Sequence, residues 1–222
     1  MRFVFRPTCT LAVAGILGVG LPSALAAQYS SARPVRSAAT EPRFEIAVFG
    51  GWQFGGNWDA VVGTTPGQLD IADDVNYGMS FAMRARPGVL AEFLYIRQPT
   101  TLYFNPAVGA KSELFPIQIA YYQLGGMYEI PKGRIRPFGS LSAGITYFNP
   151  KQSGVPGEVR FSMAAGVGIR AFLTERIGLR GQFHMLIPIQ WGSVYCGPYG
   201  CGTNAGSAIV QGQVSGGLVV GI

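Results

Sequence analysis

The stretch Ala208–Ile222, AIVQGQVSGGLVVGI, decides the fold. Val210, Gly212, Val214, Gly216, Leu218, Val220 and Ile222 are small or apolar. The interleaved Gln211, Gln213, Ser215 and Gly217 are polar or lack a side chain. A period of two belongs to a strand, whose successive side chains point to opposite faces. One apolar face and one glutamine-lined face suit a wall with lipid outside and a polar lumen inside. Such a wall has no free edge, because unpaired backbone N–H and C=O groups are not tolerated in hydrocarbon. This last strand is therefore expected to pair with the first, and the intervening chain must supply the rest of a closed barrel.

The composition agrees. Of 222 residues only 13% are charged, 12% are aromatic and 32 are glycine. Soluble domains carry about 25% charged residues. After the N-terminal segment no run of about 18 apolar residues occurs, the length a membrane-spanning helix needs. Hydrophobicity spread by alternation fits a transmembrane barrel. Net charge is +6, or +4 without Arg2 and Arg6, and the basic residues are scattered. No basic stripe for nucleic acid is present.

Residues 1–27 read as a signal peptide. Arg2 and Arg6 give a positive start, Leu11–Leu21 an apolar run, and Ala24-Leu25-Ala26 a small-residue cleavage site. Residues 28–42, polar and with two prolines, read as a flexible periplasmic leader. Residues 43–222 are the expected barrel. Beyond Cys9 in the signal, two cysteines are left, Cys196 and Cys201, with two glycines and a proline between them. In an exported chain such a pair reads as a disulfide. No His or further Cys lies near enough in sequence to complete a zinc set, so neither metal nor cofactor is expected.

Seven further runs alternate. Arg43–Phe54 sets Phe44, Ile46, Val48, Trp52 and Phe54 against Glu45 and Gln53. Val75–Arg86 sets Tyr77, Met79, Phe81 and Met83 against Asn76, Ser80 and Arg84. Val89–Gln98 puts Phe93 and Tyr95 outward and Glu92 inward. Phe115–Ile130 is apolar on both faces; with Tyr122, Leu124 and Tyr128 outward, Gln123 and Glu129 point in. Arg134–Phe148 opposes Leu141, Ile145 and Tyr147 to Ser140, Ser142 and Thr146. Val159–Phe172 opposes Phe161, Met163, Val167 and Ile169 to Ser162 and Arg170. Ile177–Ile187 opposes Leu179, Phe183 and Met185 to Arg180, Gln182 and His184.

The connections alternate. Gly55–Asp74, Pro99–Leu114, Asn149–Glu158 and Pro188–Ser207 read as long loops; Pro87-Gly88, Pro131–Gly133 and Thr174–Arg176 read as tight turns. Outer-membrane barrels have short periplasmic turns and longer outer loops, on an even number of strands. A soluble eight-stranded barrel would invert the pattern, with apolar residues inside. The fold class expected is all-β: an eight-stranded antiparallel up-and-down transmembrane β-barrel.

The glycine pairs Gly125-Gly126, Gly166-Val167-Gly168 and Gly216-Gly217, the Arg136-Pro137-Phe138 run and the eight strands together resemble the OmpA/OmpX-type small outer-membrane barrels. The resemblance implies a Gram-negative outer membrane and a C-terminal assembly signal read by the barrel assembly machinery. Ser215, Gly217, Val220 and Ile222 stand where that signal would lie, with Ile222 where the class has Phe or Trp.

The inward phase gathers Glu45, Arg84, Glu92, Arg170, Arg180, His184, Gln211 and Gln213. Charges in a narrow lumen must pair or meet water. The expected outcome is an internal polar network in a barrel with a structural, surface-exposed and non-enzymatic role. Two readings stand beside it: a small pore for ions or solutes, and a lipid-modifying enzyme centred on His184 with Ser162 or Glu92 as partner. Asp70, Asp73 and Asp74 miss the spacing of a helix–loop–helix calcium loop and read as a solvated loop. The expected partners are outer-membrane lipid and lipopolysaccharide, around a monomer.

Overall fold

The alternating runs fold as strands. In the computed structural model the described residues are 42–62, 65–130, 133–189, 194–197, 200–203 and 208–222. In chain order the strands are β1 (Phe44–Gly55), β2 (Asn57–Val62), β3 (Thr65–Ile71), β4 (Asp74–Arg86), β5 (Val89–Pro106) and β6 (Ser112–Glu129). Then come β7 (Ile135–Pro150), β8 (Glu158–Phe172), β9 (Ile177–Pro188), β10 (Val194–Gly197), β11 (Gly200–Thr203) and β12 (Gln211–Gly221). The signal peptide and leader lie outside the described residues, apart from Pro42.

Eight strands, in the ring order β1-β4-β5-β6-β7-β8-β9-β12, pair antiparallel with their neighbours. The ring closes at β12 and β1, where Ile46 lies opposite Val220 and Gln53 opposite Gln213. At the seam's end Ile222 N donates to Phe44 O at 2.8 Å. Stepping from partner to partner once round the ring from Glu45, the ladder returns to β1 at Gly55, ten residues along. Closure with a stagger requires tilted strands, about 35–45° to the barrel axis. Tilt brings residues far apart in level along the sequence to one height in the lumen.

The faces divide as the alternation demands. Val48, Met79, Phe81, Leu124, Leu141, Val167 and Leu218 are exposed on the outer wall, and Trp52 and Tyr128 stand there too. An apolar exterior that runs round a whole barrel is not a surface water accepts. This is a closed, eight-stranded membrane-type barrel. β6, apolar on both sides in sequence, takes the register with Tyr121, Gln123, Met127 and Glu129 buried. Ala120 shares the outward phase yet is only 2% exposed, flanked across the ladder by Arg97 and Tyr147.

The connections at the far end from Phe44 are more ordered than the sequence suggests. Gly55–Asp74, expected as a polar loop, contains the β2–β3 hairpin. Its β3 strand pairs with an extension of β5, Leu69 opposite Phe104 and Ile71 opposite Leu102. Pro99–Leu114, also expected as a loop, is largely strand, because β5 runs to Pro106 and β6 starts at Ser112. These segments gain partners only from each other, so no local signal announces them. Pro99 is accommodated because β4 pairing ends at Arg97 and β3 pairing begins at Leu102. Its missing N–H therefore falls in a gap of the ladder. The connection 189–210 also carries a hairpin, β10–β11, and is tied at its base by the Ile189–Ala208 bridge.

Candidate functional site

The lumen is layered. Its base, near Phe44, is a ring of charges. Arg84 on β4 donates through Nη2 to Glu45 Oε1 at 2.7 Å and through Nη1 to Glu129 Oε1 at 2.8 Å. Arg170 on β8 donates through Nη1 to Glu129 Oε2 at 2.6 Å and through Nη2 to Glu45 Oε2. Four side chains from β1, β4, β6 and β8 thus alternate in sign round a closed loop. Arg136 reaches Glu129 Oε1 at 3.3 Å as a fifth member. The guanidiniums of Arg136 and Arg170 both lie on the Phe172 ring, 4.8 and 4.9 Å from its centre. A cavity of about 310 Å³ touching Pro42, Glu45, Arg84 and Arg136 opens at this end.

The middle layer is built on one ion pair. Arg180 on β9 meets both carboxylate oxygens of Glu92 on β5, and its Nη1 also donates to Ser80 Oγ at 3.2 Å. Its guanidinium rests 4.8 Å from the centre of the Phe138 ring. Around the pair, Gln213 donates to Asn76 Oδ1 at 2.8 Å, Gln182 to Ser215 Oγ at 3.0 Å and Gln123 to Ser162 Oγ at 2.5 Å. His184 is 1% exposed and its Nδ1 has no hydrogen-bond partner among the described residues. A side chain at Gly166 would meet His184 Nε2 at 2.5 Å and Ser140 Oγ at 2.6 Å, so the glycine makes the space for the imidazole.

An amide layer follows. Gln53 Nε2 donates to Gln211 Oε1 at 3.1 Å, the Tyr121 hydroxyl donates to the same oxygen, and Gln211 Nε2 donates to Gly55 O at 3.2 Å. Above it the lumen turns apolar. Ile71, Ile96, Leu102, Ile117, Ile119, Leu186 and Ile209 form one buried cluster, with Trp58 and Leu69 of the β2–β3 hairpin packed against it. Buried Gln98 and Thr100 stand opposite Ile119 and Ile117 in this layer, with Thr100 Oγ1 donating to Ala72 O at 2.7 Å and Gln98 Oε1 accepting from Gln211 Nε2 at 3.4 Å.

All eight inward residues singled out from the sequence line this lumen, but not as one network. Glu45, Arg84 and Arg170 meet at the base; Glu92 and Arg180 pair in the middle, with His184 and Gln213 nearby; Gln211 belongs to the amide layer. The alternation of β6 and β7 points Glu129 and Arg136 inward, yet their place in the base ring depends on the stagger. Of the C-terminal positions, Ser215 accepts from Gln182, while Val220 and Ile222 are exposed on the outer wall. Gly217 lies so close to β1 that a side chain there would meet Val48 O at 2.0 Å. Cys196 and Cys201 are directly opposite in the β10–β11 register. Asp73 Oδ1 accepts from Gly55 N at 3.0 Å, Asp74 Oδ1 from Val75 N at 2.7 Å, and Asp70 pairs with Lys111 at 3.2 Å. Among the described residues no cluster of three or more metal-ligating side chains occurs.

No protein-family model and no curated protein sequence matches this chain. Solved structures do. The chain is similar to Neisserial surface protein A, with 10% identity, a TM-score of 0.56, and 81% of this chain and 97% of that chain covered. It is similar to the outer membrane protein OprG from Pseudomonas aeruginosa, with 13% identity, a TM-score of 0.59, and 82% and 98% covered. It is also similar to the outer membrane protein AlkL, whose structure was determined in lipid bilayers, with 14% identity, a TM-score of 0.59, and 85% and 94% covered. The chain has the fold of the small eight-stranded outer-membrane barrels.

Proposed function

We propose that this chain is an integral protein of a Gram-negative outer membrane, exported through a cleaved signal peptide, with a structural and surface-presenting role and no enzymatic one. One observation supports the reading: at two levels of the lumen, side chains from different strands bind or pack against each other. At the base, two arginines and two carboxylates bind each other in a closed loop. Toward the far end, buried isoleucines and leucines pack in one cluster. The apolar outer wall and the fold likeness support the membrane setting. The tight turns then face the periplasm, and the β2–β3, β5–β6 and cysteine-bearing connections face outward. Cys196 and Cys201 form a disulfide there, and Ser215, Gly217, Val220 and Ile222 serve the assembly machinery.

His184 supports the non-enzymatic side of the reading. It lies in the middle of the lumen, against Gly166, beneath the amide and apolar layers. Ser162, a candidate partner, has its hydroxyl engaged by Gln123. An imidazole 1% exposed inside the barrel is not presented to lipid at the outer wall.

The test is conductance of the purified protein in a planar bilayer. The barrel is expected to insert without steady openings. Steady, ion-selective openings would overturn the closed-lumen role and leave the pore reading in its place.

A further inference from the structure

The outer wall carries one anomaly. Among outward-facing positions of the eight wall strands, between the register shifts at Arg84/Arg86 and Leu102/Tyr103, a single residue is charged: Arg97 on β5. A guanidinium is strongly disfavoured on the lipid face at the bilayer centre and little at its interface. The surroundings of Arg97 are those of an interface. Its cross-strand partners are Tyr77 and Ala120, and Tyr147 follows Ala120 on β7. One step toward the base, the Tyr95 and Tyr122 rings lie 5.1 Å apart. One step the other way, Pro99, Gln118 and Asn149 are aligned, and the wall ceases to be apolar. Tyrosines concentrate where hydrocarbon meets headgroups.

The guanidinium is held in place. It lies over the Tyr77 ring at 5.9 Å, and its Nη2 donates to Gln118 Oε1. Its Nε is buried without a hydrogen-bond partner among the described residues. Arg97 is half-buried, and among the described residues neither its Nη1 nor the Gln118 Nε2 makes a hydrogen bond. Two donors, a positive charge and a tyrosine ring are therefore fixed side by side on a wall that faces lipid.

From this geometry we infer that Arg97, with Gln118 and Tyr77, binds a phosphate of lipopolysaccharide in the outer leaflet. An acyl chain or an uncharged sugar gives the guanidinium no anion. A phosphate accepts charge-assisted bonds from Arg and amide donors together. The inference rests on the orientation proposed above, which places Arg97 at the end of the wall that carries the long connections. The leaflet at that end is built of phosphorylated glycolipid.

Native mass spectrometry of the detergent-solubilised protein tests it, using bis-phosphorylated lipid A, dephosphorylated lipid A and phosphatidylglycerol as probes. Wild type is expected to retain one bis-phosphorylated lipid A about tenfold more tightly than Arg97→Gln, as loss of a charge-assisted pair implies. Dephosphorylated lipid A is expected to bind wild type no better than it binds the variant. Arg97→Lys, which keeps charge but loses the planar fork, is expected between the two. Equal retention by wild type and Arg97→Gln overturns the site, and so does equal binding of phosphatidylglycerol and lipid A. Flotation of the same samples with lipid vesicles separates the two levels. Wild type that fails to float overturns the membrane reading, whereas floating protein with equal lipid A retention overturns the site alone.

Discussion

Arg84 and Arg170 stand on strands opposite each other in the ring and hold the same two carboxylates, Glu45 and Glu129. Neither arginine has a carboxylate to itself among these four side chains. Each carboxylate is shared, so removing one member breaks contacts on two sides of the lumen. Arg170 is 1% exposed. A guanidinium that deep cannot turn to water when its partner is lost.

Glu129→Gln is the sharpest probe of this ring. It leaves Arg84 and Arg170 with Glu45 as the remaining carboxylate they share, and takes from Arg136 its contact with Glu129. Breaking a buried pair from one side costs about 3–5 kcal/mol. Urea unfolding from lipid vesicles, followed by tryptophan fluorescence, should show a loss of that size. Glu129→Leu combined with Arg170→Met is expected to recover a large part of it, because well-packed apolar residues often replace buried ion pairs without loss. A double variant as unstable as the single one would mean that the ring does more than satisfy its own charges.

Gly166 offers a second probe in the middle layer. A β-carbon there would stand 2.3 Å from His184 Cδ2 and 2.6 Å from Ser140 Oγ, two side chains from neighbouring strands. Overpacking of this kind costs about 1–3 kcal/mol. Gly166→Ala is expected to destabilise the barrel in the same unfolding measurement. Gly166→Ala with His184→Ala should restore most of the loss, since the imbalance lies between those two positions. No recovery would place the strain in the β8 backbone instead.

The wall was legible in the sequence, and the reason is physical. Lipid outside and polar side chains inside impose opposite demands on alternate residues, so each strand writes its own period of two. Tyr77, Met79, Phe81 and Met83 all emerge on one face for that reason. The lumen's pairings were not legible. Which inward residues share a level depends on the ten-residue stagger, a property of closure rather than of any strand. Glu45 and Glu129 thus meet the same two arginines although 84 positions separate them in the chain. The β2–β3 hairpin was hidden because Trp58, Leu69 and Ile71 find their apolar neighbours in the buried isoleucine and leucine cluster, which other strands supply. Arg97 was hidden by the strength of the pattern around it, for a single charge barely alters an apolar alternation.

The β10–β11 register sets Cys196 opposite Cys201. Directly opposed residues on antiparallel strands bring their β-carbons within about 4.5–5.5 Å, near the span of a disulfide. Non-reducing digestion of the exported protein is expected to yield one linked peptide containing both cysteines. Its loop is short, so reduction should loosen the hairpin and leave the midpoint of barrel unfolding nearly unchanged. Free thiols in protein recovered from the cell envelope would refute the bond.

The assignment of inside and outside is tested most directly on the wall. Phe81 lies in the middle of the outward run of β4 and is 46% exposed. Phe81→Arg places a charge in hydrocarbon and should cost about 2–4 kcal/mol, while Phe81→Leu should cost far less. The neighbouring Ala82 faces the lumen and is buried beside Leu90 and Met127. Ala82→Phe is therefore expected to be destabilising by overpacking, about 1–3 kcal/mol. Folding of all three variants into vesicles can be compared in one urea series. If Phe81→Arg folds as well as wild type, then the side of the wall that holds Phe81 does not face lipid, and the same result would remove the interface from around Arg97.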